Sequence, residues 1–482
     1  MNIEQLEPKS IWKNFSFINA IPRASKKEDK IVQFMIDFGK KLGLETQTDA
    51  IGNVLIRKPA TPGMENRKTV VLQSHLDMVH QKNNSTEFDF DKQGIEMYID
   101  GDWVKANGTT LGADNGLGVA AIMGVLESKE IEHPALEALF TIDEETGMTG
   151  AKGLKGGFLK GDILLNLDTE EDDEIDIGCA GGIDVTATKT IKKVKNNSDS
   201  VSYELTLGGL MGGHSGMDIH KGLGNANKLM NEMLLTVENF IQLSTLKGGS
   251  LRNAIPRESV AVFSCKQKDK EIVISTLEKS FAKLKNQFKK IDSKLNYTLK
   301  TLSSIEDVLT KEDQKQLFTS IKNAHNGVFK MSEFMDDLVE ASNNIAKVTV
   351  DNDQMTIECL TRSSVEESKM EVANQLKSTF EDQGFKVNFS GDYPGWSPNP
   401  DSAILSVLEN LYVEIFDRKP KVVACHAGLE CGILGSHYPE LDMISFGPTI
   451  RGAHSPDEKA SISSSQKFWK YLISILKNIP NK

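Results

Sequence analysis

The sequence predicts an α/β fold: a discontinuous domain with a mostly parallel central sheet flanked by helices, built from both ends of the chain, plus an inserted α+β domain. Three observations predict it. Apolar strand patterns alternate with helical ones from residue 46 to about 180, the texture of a mostly parallel sheet covered on both faces. After Cys179-Ala180-Gly181-Gly182 the chain becomes richer in lysine and in alternating strands, with long amphipathic helices between them. The first texture returns beyond the proline-rich hinge Pro394-Gly395-Trp396-Ser397-Pro398-Asn399-Pro400. The expected domains are 1–183 with 394–482, and the insertion 184–393.

Taken in order, Ser10 to Leu44 reads as two helices separated at Ile21-Pro22-Arg23-Ala24-Ser25, where proline ends one and serine can cap the next. Thr46 to Arg57 and Thr69 to Gln73 read as strands around the turn-rich Pro59-Ala60-Thr61-Pro62-Gly63. A helix over Leu117 to Lys129 follows the glycine-rich turn at Gly108 to Gly118, and Leu136 to Ile142 is a buried strand. In the insertion, helices are expected at Asn225 to Thr236, Lys270 to Ile291 and between Glu366 and Gln383. Strand, helix and strand up to about Leu295, then again from Ile345 to Ser390, suggest a duplication into two ferredoxin-like halves. The C-terminal part reads as helix (Ser402 to Asp417), strand (Lys421 to His426) and helix (Ser461 to Leu476).

Composition narrows the function. At 482 residues, with 39% hydrophobic and 26% charged residues, the chain is an ordinary globular protein of two or three domains. A net charge of −12 argues against nucleic acid or an anionic membrane as the main partner. The start has neither the basic residues nor the apolar run of a signal peptide, and no stretch approaches the ~18 apolar residues of a membrane span, so a cytoplasmic location is expected. Five scattered cysteines lack paired spacing and read as buried thiols.

Chemistry concentrates where strands should end. Gln73-Ser74-His75-Leu76-Asp77-Met78-Val79 carries an imidazole and a carboxylate two residues apart, on one face if the strand is extended. Read alone, this is also a polar strand end. Gly112-Ala113-Asp114-Asn115-Gly116 sets a carboxylate on a tight turn, although Asp114 by itself is equally a helix N-cap. Asp143-Glu144-Glu145 follows an apolar strand, and three such acids repel unless a cation neutralises them. Asn166-Leu167-Asp168-Thr169-Glu170 ends another strand, and the loop Gly447 to Glu458 holds His454.

Together, His75, His454, Asp114, Glu145 and Asp168 can give two divalent ions three ligands each if Asp114 bridges them. The four positive charges are then offset by three carboxylates and one bound hydroxide, at a pair of ions typically ~3.5–4 Å apart. Glu144 remains for general base catalysis, and Asp77 suits orienting the His75 imidazole. Mixed imidazole and carboxylate ligands fit zinc best, with manganese or cobalt also compatible.

The ordered series Ser-His-Leu-Asp-Met-Val, Leu-Gly-Ala-Asp-Asn-Gly, Asp-Glu-Glu-Thr-Gly, Asn-Leu-Asp-Thr-Glu-Glu and Gly-Ala-His-Ser-Pro-Asp-Glu resembles the co-catalytic zinc peptidases that include carnosinases, aminoacylases and glutamate carboxypeptidases. Ile177-Gly178-Cys179-Ala180-Gly181-Gly182 and His426-Ala427-Gly428-Leu429-Glu430-Cys431-Gly432 make it most similar to the bacterial aminoacyl-histidine dipeptidases. The resemblance covers essentially the whole chain. It implies that His75 and Asp168 hold one metal, Glu145 and His454 the other, and Asp114 both. It also implies that 184–393 is a lid that binds substrate and can pair two subunits.

Within the lid, His214 in Gly212-Gly213-His214-Ser215-Gly216 matches a histidine that in relatives polarises the scissile carbonyl, often in the partner subunit's site. Asn253 and Arg362 sit where relatives grip the substrate carboxylate, and His426 and Glu430 join the expected substrate-binding set. Arg362 reads alternatively as a solvated charge at a strand end. His80 stands where the family pattern has a cysteine, outside the ligand set. The activity so implied is hydrolysis of unblocked dipeptides, Xaa-His among them, by metal-bound hydroxide with Glu144 as base. Alternatives on the same scaffold are an aminotripeptidase and an N-acyl amino acid deacylase. A non-catalytic binding protein would not need the complete set of acids, and a phosphoryl-transfer enzyme would need a phosphate-cradling loop that the sequence lacks.

Overall fold

The computed structural model describes residues 2–83, 85–333, 335–351 and 353–482. It forms two compact units, Met1–Gly178 with Trp396–Ala424 and Leu429–Lys482, and Cys179–Gly395 with Cys425–Gly428. The short segment carrying His426 thus belongs to the second unit, tied there by Ala180 N donating to the carbonyls of Cys425 (2.9 Å) and Ala427 (3.0 Å). No helix among the described residues is long and apolar enough to cross a membrane. Cys179, Cys265, Cys359 and Cys431 are buried, and Cys425 is half-buried.

The first unit is built on an eight-stranded sheet in the order Glu45–Thr48, Val54–Lys58, Leu136–Thr141, Val70–His75, Ile163–Asn166, Asp442–Ser445, Glu174–Cys179, Lys421–Cys425. Its centre is parallel, from Leu136–Thr141 through Asp442–Ser445. The flanks are antiparallel, which makes the sheet mixed. Val70–His75, Leu136–Thr141 and Ile163–Asn166 are buried at every position, as expected of parallel strands covered on both faces. The segment from Thr46 to Arg57, which reads as one strand, is a hairpin. Asp49 Oδ1 accepts from the backbone N–H groups of Ile51, Gly52 and Asn53, each at 2.9 Å, and this side-chain turn breaks the run.

Helices Lys9–Asn19, Asp29–Lys41, Ala113–Glu127, Ala403–Phe416 and Ile462–Lys477 accompany the sheet. A small sheet of Met97–Asp100, Trp103–Ala106, Lys459–Ser461 and Ile450–Arg451 adds to this unit. It escapes the sequence reading because its strands are two to four residues long.

The second unit carries a nine-stranded antiparallel sheet: two βαββαβ halves supply eight strands, and Gly327–Met331 adds a ninth beside Val339–Val350. One half runs Ser200–Gly208, helix Ala226–Leu235, Ile241–Gly248, Ser259–Lys266, helix Lys270–Phe288, Asn296–Leu302. Its strands lie in the spatial order fourth, first, third, second, the ferredoxin-like order. The other half uses Gly181–Thr190, helix Lys311–Asn323, Val339–Val350, Gln354–Ser363, helix Glu366–Glu381 and Lys386–Tyr393 in the same spatial order. The first half is inserted after the opening strand of the second. Their second strands pair, Leu246 opposite Val350 and Gly248 opposite Val348, so one sheet runs through both halves. Helix Lys311–Asn323 is absent from the sequence reading because its face is mostly polar. Thr310 caps it by accepting from Asp313 N, and Leu317, Phe318 and Ile321 anchor it.

Candidate metal centre

The strand Val70–His75 stops at His75, so Asp77 lies beyond it and not on an extended face. The pair still meets. His75 Nδ1 is 3.3 Å from Asp77 Oδ1 and 3.2 Å from the Asp77 carbonyl oxygen, with both side chains fully buried. Asp77 also accepts from the backbone N–H groups of Glu144 (3.0 Å) and Glu145 (3.3 Å). Burial works to raise its pKa, but His75 and the Glu144 N–H outweigh that and hold it below the usual carboxylate range. One carboxylate therefore orients the imidazole and fixes the acidic loop after Leu136–Thr141.

That loop relieves the expected repulsion by turning its acids apart. Asp143 adopts a positive φ of 51° and accepts from the hydroxyls of Thr146 and, at 2.8 Å, Thr149. Glu145 points the other way, toward His454.

Asp114 sits at the entrance of Ala113–Glu127. It is not the N-cap: Gly112 occupies that position, in the left-handed conformation (φ 69°). A Cβ at Gly112 would lie 2.4 Å from the Arg23 guanidinium, so both backbone shape and space require glycine. Two charged side chains that the sequence reading gave no role hold this turn. Glu458 accepts from the backbone N–H groups of Leu111 (2.7 Å), Gly112 (2.9 Å) and Ala113 (2.7 Å). Arg23, only 2% exposed, donates to the carbonyls of Leu76 and Asp77 as well as Gly112. Burial lowers its pKa to about 10. The signal available in the sequence was a lone arginine in the break between two helices and an acid at the end of the His454 loop.

These supports bring the five expected ligands together. His75 Nε2 is 3.2 Å from Asp114 Oδ1 and 3.5 Å from Asp168 Oδ1. His454 Nε2 is 3.1 Å from Asp114 Oδ2 and 3.0 Å from Glu145 Oε2. Asp114 thus gives one oxygen to each imidazole, and each imidazole has a second carboxylate. Asp168 is steadied by the Asn115 side-chain amide, which also donates to the Leu167 carbonyl at 2.7 Å.

The donor set fits divalent cations. Glu145 Oε1 is buried with no hydrogen-bond partner among the described residues, a ligand oxygen left for a cation. Asp114 and Glu145 raise the His454 pKa to about 11, the mark of a carboxylate cluster that draws positive charge. Glu144 is pushed well up by burial, with Asp168, Glu145 and Glu430 adding to the effect and His75 opposing it.

Among the expected substrate contacts, His214, Asn253, Arg362 and His426 belong to the second unit, and Glu430 to the first. His214 Nδ1 accepts from the backbone N–H groups of Gly216 (3.3 Å) and Met217 (3.1 Å), which leaves the ring proton on Nε2. Asn253 is exposed, and its carbonyl accepts from Ser215 N at 2.8 Å. Arg362 is only 5% exposed, so it is not a solvated strand-end charge. Its partners are neutral, Tyr393 Oη at 2.9 Å and Ser215 Oγ at 3.4 Å, and it forms no ion pair among the described residues. His426 Nε2 meets Ser342 Oγ at 2.8 Å. Burial first, then Arg362 and His214, push its pKa down to about 3, so the ring is neutral. Tyr393 had no sequence signal, since only strand register brings it and Arg362 to Gly182, and Ser342 had none because it meets a bend far along the chain. Glu430 is 1% exposed and packed against Gln73 (2.7 Å) and Thr141 (2.6 Å).

The model of peptidase family M20/M25/M40 matches residues 71–478. The cytosol non-specific dipeptidase of Escherichia coli (strain K12) is 43% identical over 483 residues, spanning 100% of this chain and 99% of that one. The crystal structure of aminoacylhistidine dipeptidase from Vibrio alginolyticus, also 43% identical, superposes with a TM-score of 0.92 over 100% of this chain and 99% of that one. Aminopeptidase PepT from Bacillus cereus, at 15% identity and a TM-score of 0.58 over 98% and 99% of the two chains, shares the fold. On the family match and the full-length identity, this chain belongs to peptidase family M20/M25/M40.

Proposed function

We propose that this peptidase hydrolyses unblocked dipeptides, Xaa-His among them, at a centre of two divalent ions, with zinc the metal best suited to the ligands. One observation carries the reading: Asp114 divides its two oxygens between His75 and His454, each already beside a second carboxylate. Full-length similarity to two dipeptidases supports the substrate class. His75, Asp168 and Asp114 would hold one ion, and His454, Glu145 and Asp114 the other. Such ions, when bound, activate a water and polarise a carbonyl oxygen.

The protein's own groups do the rest. Glu144, on the loop that Asp77 fixes, takes the proton from the attacking water and passes it to the leaving amine. Asp77 keeps the His75 imidazole in its ligand tautomer. Arg362, a buried guanidinium with only neutral partners, is suited to the free carboxylate of a short peptide, and Asn253 to the same end of the substrate. His214, protonated on Nε2, can donate to the scissile carbonyl, and the neutral His426 lines the same unit. We also propose a cytoplasmic location, with the second unit as the surface for a homodimer.

Glu144→Ala tests the mechanism: it should retain two metal ions per chain and lose about 10²–10⁴-fold in kcat. Substantial remaining turnover would refute Glu144 as the base. Turnover of tripeptides or N-acyl amino acids in preference to dipeptides would refute the substrate assignment and favour an aminotripeptidase or a deacylase.

A further inference from the structure

One layer below the ligands, a row of polar side chains crosses the sheet in register. Gln73 is paired with Asn166, Asn166 with Ser445, and Ser445 with Asp176, on four neighbouring strands. Gln73 precedes His75 by two residues within one strand, the spacing that puts side chains on one face, and Asn166 ends the strand that leads to Asp168. All are buried, as are Thr141, Thr169 and Glu430.

These groups join end to end. Asp176 Oδ2 lies 2.7 Å from Thr169 Oγ1, which lies 2.8 Å from Ser445 Oγ. Ser445 Oγ donates to Asn166 Oδ1 (2.5 Å), Asn166 Nδ2 to Gln73 Oε1 (2.5 Å), and Gln73 Nε2 to Glu430 Oε2 (2.7 Å). Thr141 Oγ1 accepts from Gln73 Nε2 at 3.1 Å and donates to the same Glu430 oxygen at 2.6 Å.

Counting hydrogens fixes the state of the chain. A hydroxyl has one hydrogen to give, and an amide offers its nitrogen to one neighbour and its oxygen to the next. With Gln73 donating to Glu430, its oxygen takes a hydrogen from Asn166, and the Asn166 oxygen takes the only one Ser445 has. The link between Ser445 and Thr169 then uses the Thr169 hydrogen, so the link from Thr169 to Asp176 needs a hydrogen on Asp176. Turning both amides over moves that hydrogen to Glu430 and ionises Asp176. In either direction the row needs one proton between its two acids, because with none a link would lack its hydrogen, and a second would have to sit on an outer oxygen such as Glu430 Oε1, which has no acceptor among the described residues.

We propose that Asp176 carries this proton and that Glu430 is the ionised end, a positioning residue that fixes a negative charge beneath the ligand-bearing strand ends. The surroundings distinguish the two ends. Asp176 faces the hydroxyl of Thr169 and, among charged groups, the acids Glu174 and Asp168. Glu430 has His75 within electrostatic reach, along with the acids Asp77, Asp168 and Glu144. Glu430 Oε2 accepts two hydrogen bonds, while its Oε1 is buried with no partner among the described residues, the open end of the row. Burial raises both acids to about 7, where a single shared proton is sustainable.

The row exists whatever the substrate, so its test does not depend on turnover. Infrared difference spectra of the metal-loaded protein at pH 7 should show that Asp176→Asn removes one protonated-carboxyl C=O band and that Glu430→Gln removes none. Loss of the band in Glu430→Gln alone would place the proton at the other end, and loss in both variants or in neither would refute a single shared proton. A second readout separates positioning from bulk. Asp176→Asn, which keeps a donor toward Thr169, should hold metal affinity within about twofold, whereas Asp176→Leu should weaken it by about tenfold. Equal affinity in the two variants would contradict the proposal. If Asp176→Leu does not fold, the infrared comparison of the two isosteric variants still decides.

Discussion

In the first unit the strands Val70–His75, Leu136–Thr141 and Ile163–Asn166 are buried along their whole length, and His75, Glu145 and Asp168 lie at or just past their ends. In the second unit Arg362 lies inside the strand Gln354–Ser363, and its partners Ser215 and Tyr393 come from segments far away in the chain. A parallel sheet closed on both faces leaves its loops as the place for chemistry. An antiparallel sheet with one half-exposed face can carry polar groups within a strand, where register selects their neighbours. Damage in the first unit should therefore appear as lost metal or lost turnover, and damage around Arg362 in the second as weakened substrate binding.

The largest expected effect on the second side of this contrast is that of Arg362→Ala. Removing a buried, charge-assisted contact to a carboxylate should raise KM for dipeptides about 100-fold with metal content unchanged. Steady-state kinetics beside metal analysis reads this directly, and a variant that sheds metal would erase the contrast. On the first side, Asp77→Asn should lower kcat by about 10–100-fold while both ions stay bound, because the imidazole and the acidic loop lose their common anchor. If that variant simply sheds its metal, Asp77 belongs among the ligands.

Smaller effects sharpen the same division. Glu458→Gln keeps the size of the side chain but replaces an acceptor oxygen with a donor against backbone N–H groups. Stability in urea should fall by about 2 kcal/mol, with ligand geometry loosened only secondarily. Tyr393→Phe removes one hydrogen bond that the Arg362 guanidinium donates and should raise KM about fivefold at unchanged kcat. A kcat effect from Tyr393→Phe would mean that Arg362 acts in the chemical step as well as in binding.

The same contrast explains what was legible in the sequence. Runs such as Leu139-Phe140-Thr141-Ile142 before Asp143-Glu144-Glu145 announce both a buried strand and an acidic end, so the five candidate ligands could be proposed from local pattern taken together. Arg23 and Glu458 could not, since each acts through backbone atoms of a distant turn that no local pattern reveals. The hairpin at Asp49 was hidden because a single side chain, accepting three N–H groups, breaks an otherwise strand-like run. In the second unit the helix and strand sequence of the two halves was partly readable. The contacts of Arg362 with Tyr393 and of His426 with Ser342 were not, because the first depends on register across strands and the second joins a strand to a bend far along the chain. Glu430 was expected from its motif to bind substrate, and its burial against Gln73 and Thr141 was visible only in three dimensions.

In the proposed centre one carboxylate, Asp114, serves two cation sites at once, and metal stoichiometry on the protein and two variants measures this directly. Two ions per chain are expected in the unaltered protein, about one in His454→Ala, and close to none in Asp114→Ala with the fold intact by circular dichroism. An Asp114→Ala protein that still holds one ion tightly would show that the two sites are independent and that Asp114 does not join them.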